Sequence, residues 1–124
     1  MEEKVQVNIE KILLKKENFE REYQIKAQQI NVTMKVKILA SKIDSGKDEI
    51  KTDIEITGND GEKKLFALMG EYIIYYNPDE ELRALDIKDK GNVVFEEAYN
   101  TELKDRFKSI FEKADLLNIV LPDV

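Results

Sequence analysis

Acidic side chains are the most frequent chemistry-bearing groups in this 124-residue chain, and they come in runs: "NPDEEL", "FEEAY", "DSGKDE" and "NDGE". Paired carboxylates can serve general acid-base work, but here they occupy positions with simpler uses. Asp79, Glu80 and Glu81 follow Asn77 and Pro78 as the first turn of a helix would have them, and Glu96 and Glu97 read as a solvated helix face. "DSGKDE" and "NDGE" share calcium-loop composition but lack the twelve-residue ligand order with its terminal glutamate, so both read as turns. No histidine is present, which removes the usual base near neutral pH, the Ser-His-Asp arrangement and histidine zinc sites. No cysteine is present either, so thiolate nucleophiles and disulfides are absent. The five glycines form no phosphate loop. A non-enzymatic protein without cofactor or metal is the expectation.

The net charge of −6, with lysines interleaved among acids, also argues against a nucleic-acid surface. No apolar run approaches the roughly 18 residues of a membrane span, and "MEEKVQVNIE" has neither a basic leader nor an apolar core. A cytoplasmic protein without membrane insertion is expected. One domain over residues 1–124 suits the length, which suffices to bury roughly two-thirds of the unfolded surface.

What remains is apolar and aromatic surface in excess: Leu13, Leu14, Phe19 and Tyr23 early, and Tyr72, Tyr75 and Tyr76 later. The elements that carry them follow from periodicity. Val5, Val7 and Ile9 alternate with polar residues, and then Ile12, Leu13 and Leu14 break the phase. A slip of one residue is what a β-bulge produces, so Val5 to Phe19 reads as one long bent strand. Ile30, Val32, Met34, Val36, Ile38 and Ala40 form a strand with one wet face. A turn at "DSGKDE" leads into "EIKTDIEIT", its antiparallel neighbour, and a turn at "GNDGEKK" leads into "LFALMGEYIIYY", a strand apolar on both faces from Leu65 to Tyr76. "NPDEELRAL" predicts a short helix and "DIKDKGN" a loop. From Val94, the spacing of Phe95, Tyr99, Leu103, Phe107, Ile110, Phe111, Ala114 and Leu117 predicts one amphipathic helix of about 22 residues. "NIVLPDV" closes as a short extended piece.

Strands followed by helices give an α+β domain, a four-stranded antiparallel meander backed by a long C-terminal helix. A long first strand at a sheet edge invites pairing, so a homo-oligomer is expected. It would assemble through that edge and the wet side of the long helix.

In order, these segments resemble the protein-export chaperone SecB and its SecB-like relatives. The resemblance is sharpest at Ile9, Lys11, Ile12, Lys15, Phe19 and Glu20 of "VNIEKILLKKENFE". It continues through Val32, Met34 and Val36, "EIKTDIEIT", Phe66, Tyr99, Glu102, Leu121 and Pro122. It implies a dimer or tetramer and an ATP-independent holdase that covers apolar segments of unfolded or partly folded clients, in export or elsewhere. Leu14, Phe19, Tyr23, Tyr72, Tyr75 and Tyr76 are then the expected polypeptide-binding residues. The acidic periphery would favour clients bearing Lys and Arg.

Departures limit what carries over. The family's second C-terminal helix has no counterpart before Val124, and the helix arginine that precedes the glutamate is Thr101. The positions that meet the SecA motor fall on Lys16, Glu20, Ala67 and Met69, of which only Glu20 is acidic. That puts SecA contact in doubt. The alternative is a dedicated interaction subunit that binds one specific partner, such as one particular toxin, with its apolar surface fixed for that ligand.

Overall fold

A computed structural model of the chain describes residues 7–25, 29–42, 48–78, 82, 85–116 and 119–123. Four antiparallel strands, β1 (Val7–Arg21), β2 (Asn31–Lys42), β3 (Asp48–Asp60) and β4 (Lys63–Pro78), precede a helix in three consecutive segments. These are α1 (Ile87–Ala98), a π-helical turn (Tyr99–Leu103) and α2 (Lys104–Lys113). The α+β class holds, with one refinement. β2, β3 and β4 form the meander, but the sheet order is β1-β4-β3-β2, so β1 lies beside β4 rather than β2. Both β1 and β2 are therefore sheet edges.

The phase slip in "VNIEKILLKKENFE" is real and occurs twice. Register with β4 shifts between Ile9 and Lys11 and again between Leu14 and Lys16, which leaves Glu10 and Lys15 as extra residues. Each extra residue exchanges the faces, so Ile9, Ile12, Leu14, Glu17 and Phe19 share the helix side despite their uneven spacing. The other side takes Lys11, Leu13, Lys16, Asn18 and Glu20. That is why the strand carries apolar side chains in both phases.

β3 and β4 form the floor of the core. Ile50, Ile54 and Ile56 pair with Ile74, Gly70 and Leu68, all buried. Two glycines leave room for aromatic rings that lie against the sheet: a Cβ on Gly58 would stand 2.1 Å from the Phe66 ring, and one on Gly70 would stand 2.4 Å from Tyr72. The helix presses Val94, Phe95, Ala98, Tyr99, Leu103, Phe107 and Phe111 onto this floor. Phe111 and Phe66 rings lie 5.3 Å apart, Phe107 and Tyr72 rings 5.9 Å.

The helix begins earlier than its apolar period indicates. "DIKDKGN", expected as a loop, is mostly its first turns: the Asp86 side chain accepts the Asp89 amide at 2.8 Å as an N-cap. Gly91 is tolerated inside α1 because the backbone there crosses tightly over β2, where a Cβ would stand 2.9 Å from Ile38 Cγ2. Its other end closes through a left-handed Asp115, with the Leu116 amide donating to the Phe111 carbonyl at 2.8 Å and the Asp115 amide to that of Glu112 at 3.0 Å. The helix expected at "NPDEELRAL" largely falls outside the described residues. Asn77 and Pro78, expected to open it, instead continue β4 opposite Asn8 and Val7.

Candidate polypeptide-binding surfaces

The sheet has two unlike faces. One packs against the helix. The other carries no covering element among the described residues, and its rows can be read across the strands. Lys16, Glu71, Asp53 and Lys37 form one row, and Asn18, Met69, Glu55 and Lys35 the next. A further row joins Leu13, Ile73, Lys51 and Leu39. The first two rows line a trough of about 380 Å³. In the first row lysines on both outer strands flank two acids, and in the second Lys35 on the outer strand stands beside Glu55. Leu13, Leu39 and Met69 remain 38%, 64% and 53% exposed among them.

A second concavity runs between β1 and the helix, lined by Ile12, Leu14, Tyr72, Leu103 and the polar side of the helix at Thr101, Glu102, Asp105 and Arg106. Leu14 is 43% exposed at its rim. One end is closed by an ion pair: Arg106 donates from Nε to Glu17 Oε2 and from a terminal nitrogen to Oε1, both at 2.8 Å. The Tyr72 hydroxyl also donates to Glu17 Oε2. Burial pushes the Glu17 carboxyl up, but the Arg106 and Tyr72 hydrogen bonds and the Arg106 charge outweigh it and hold the group below the usual carboxylate range. Burial, then the hydrogen bond to Glu17, raises the Tyr72 phenol, so it stays a donor at neutral pH.

The six expected binding residues do not share one surface. Tyr72 and Tyr76 are 1% and 3% exposed and belong to the core beneath the helix. Phe19 packs its ring 5.9 Å from Phe111 and 6.4 Å from Phe66. Tyr75 is half-buried on the uncovered face between Lys11 and Glu49. Leu14 lines the groove, and Tyr23, 91% exposed, stands just beyond β1. Sequence reading passed over Leu39 and Met69 as surface residues. Leu39 had a legible signal, since it occupies the wet phase of an otherwise clean alternation. Among the described residues no group of three or more acidic side chains could hold a metal ion.

No protein-family model matches the sequence, and no curated protein is similar to it. Comparison with solved structures gives a match to the Mycobacterium tuberculosis Rv1957 SecB-like chaperone in complex with a ChAD peptide from the Rv1956 HigA1 antitoxin, at a TM-score of 0.73. It covers 95% of this chain and 90% of that one, at 10% sequence identity. The chain has a SecB-like fold. Within that fold, Lys16, Glu20, Ala67 and Met69, the positions that the sequence resemblance sets against SecA, all lie on the uncovered sheet face, and only Glu20 is acidic.

Proposed function

We propose that this chain is an ATP-independent chaperone that holds unfolded or partly folded polypeptides against apolar surface, as a cytoplasmic homo-oligomer built through the β1 edge. The observation that carries the reading is the apolar set left in water on a SecB-like fold: Leu13, Leu14, Leu39 and Met69. Such side chains bind sequences loosely and broadly, because burial in an apolar contact demands little geometry. Of the expected binding residues, Leu14, Tyr23 and Tyr75 are the accessible ones. Phe19, Tyr72 and Tyr76 would contribute by holding the groove's shape, or would become accessible only if the helix lifts.

A dedicated single-partner role is the second reading. The structural neighbour supports it, since it is seen with a peptide of one antitoxin. Titration against a panel of unrelated denatured proteins separates the two. A chaperone binds most of them with similar affinity; a dedicated subunit binds one and ignores the rest. In either case, replacing Leu13 and Leu14 together by aspartate is expected to weaken binding roughly tenfold to a hundredfold, the equivalent of losing one or two buried leucine contacts. Unchanged affinity in a folded variant would move the site elsewhere.

A further inference from the structure

The helix is not one uniform rod. Phe95, Tyr99, Leu103, Phe107 and Phe111 recur every fourth residue, so on an α-helix of roughly 3.6 residues per turn the row would drift by about 40° per step, about 160° in all. The π-helical turn at Tyr99–Leu103 takes back about 100°, the share of one extra residue, and keeps the row on the sheet. It also divides the helix into halves that are held in different ways. α1 approaches all four strands with its backbone, closely enough at Gly91 that a Cβ there would stand 2.9 Å from Ile38. The α2 backbone approaches none of them to that degree and rests on ring contacts, Phe107 with Tyr72 and Phe111 with Phe66 and Phe19. Its polar ties are made by side chains too. Arg106 holds Glu17, and Arg21 at the end of β1 donates to the Ala114 carbonyl at the end of α2.

We infer that the helix works as a two-part lever: α2 swings away from the sheet about the π-turn, the two arginine ties are its latch, and the opened groove takes large apolar side chains of a bound polypeptide. This rests on the polypeptide-binding reading above and supplies its gate. The pivot is a weak point of the backbone ladder. There the Lys104 amide donates to the Tyr99 carbonyl, five residues back, and the Thr101 hydroxyl donates to the Glu97 carbonyl at 2.7 Å, a bond that bends helices. The pivot is also anchored, since Tyr99 is fully buried and its hydroxyl donates to the Pro122 carbonyl at 2.7 Å. It borders the groove, where Thr101, Glu102 and Leu103 line the wall with Ile12 and Leu14 of β1. The latch can yield because 43% of the Arg106 side chain already stands in water, which takes over its hydrogen bonding as the pair parts. What then restrains the swing is the ring contacts, and a client's own apolar side chains replace those. α2 therefore opens for apolar segments and stays shut against polar ones.

The test locks the latch. The chain has no cysteine, so Glu17→Cys with Arg106→Cys gives a unique pair, which a short bis-thiosulfonate reagent bridges and a reductant releases. Reduced, carboxymethylated α-lactalbumin serves as a permanently unfolded client. The bridged chain is expected to bind it about tenfold more weakly than the same chain after release. Amide exchange followed by nuclear magnetic resonance should show Lys104 to Lys113 of the wild-type chain opening as one unit, faster than Val94 to Ala98. The bridge should slow the first set and leave the second unchanged. Should the double-cysteine chain fail to fold, Arg106→Gln carries the test, and exchange should quicken in α2 alone. Equal client binding by the bridged and released chains, or one common exchange rate along both halves of the helix, would overturn the inference. A wild-type chain that binds no denatured client would instead remove the functional reading beneath it, and the exchange pattern then decides the hinge by itself.

Discussion

Replacing Phe107 by alanine is expected to destabilise the chain by about 3–5 kcal/mol, the range for emptying a large aromatic site in a packed core. Phe107 is fully buried where the helix meets the sheet. Its ring lies 5.9 Å from that of Tyr72 on β4 and 6.4 Å from that of Tyr99 one helical stretch earlier. The cavity cannot close easily, because Tyr72 is fixed by its hydrogen bond to Glu17 and Tyr99 by donating its hydroxyl to the Pro122 carbonyl at 2.7 Å. Denaturant unfolding monitored by far-ultraviolet circular dichroism measures the loss as a fall in midpoint at unchanged slope. A loss below about 1 kcal/mol would mean that the helix is not seated on the sheet as described.

The second large effect concerns the clasp between helix and edge strand. Arg106→Met leaves the Glu17 carboxylate mostly enclosed with Tyr72 as its remaining partner, at an expected cost of about 1–3 kcal/mol at neutral pH. Side-chain exposure of 43% at Arg106 and 16% at Glu17 keeps the value in the lower part of what buried pairs show. The pH dependence has a definite sign. Glu17 has its folded pKa lowered, so its contribution is present above the unfolded carboxylate pKa and is lost as pH falls through the folded one. Wild type and Arg106→Met should therefore converge in stability as pH is stepped down through and below the carboxylate range. Glu17→Leu combined with Arg106→Met should recover most of the loss, since a matched apolar pair leaves no orphaned charge. Parallel pH curves for wild type and variant would show that the ion pair contributes little.

How much of this was legible beforehand depended on whether the signal was local. The amphipathic helix announced itself through Phe95, Tyr99, Leu103, Phe107 and Phe111, because burial repeats with the helical period. The bulged first strand was legible because a phase slip at Lys11 is visible in one short run. The second slip, at Lys15, was hidden among polar residues, where a change of face leaves no mark. In Leu65 to Tyr76 the residues are apolar in both phases, so Tyr72 and Tyr76 could not be told from Tyr75 until pairing with β1 and β3 set the faces. Strand order was equally out of reach, since it depends on which edge of β4 receives a strand more than forty positions earlier. The Glu17–Arg106 clasp joins residues 89 positions apart, and nothing near Glu17 marks it as turned inward. The helix start was missed because "DIKDKGN" has loop composition. Its helicity comes from the Asp86 cap and from the tight crossing at Gly91, which only the packed sheet reveals.

The surface residues divide similarly. Leu14 and Tyr23 stand in water and Tyr75 is half-buried on the uncovered face, whereas Phe19, Tyr72 and Tyr76 pack between sheet and helix. An apolar side chain in a sequence is a statement of what must leave water, not of what covers it. Some are covered from within, and the remainder stay in water.

The most direct measurement is light scattering from a heat-denatured or reduced client with the purified chain present at equal molar amount and no nucleotide added. Scattering is expected to stay near the level of the undenatured client, and the L13D/L14D variant should let it rise. Scattering that climbs as fast as in the chain's absence, across several unrelated clients, would contradict the account.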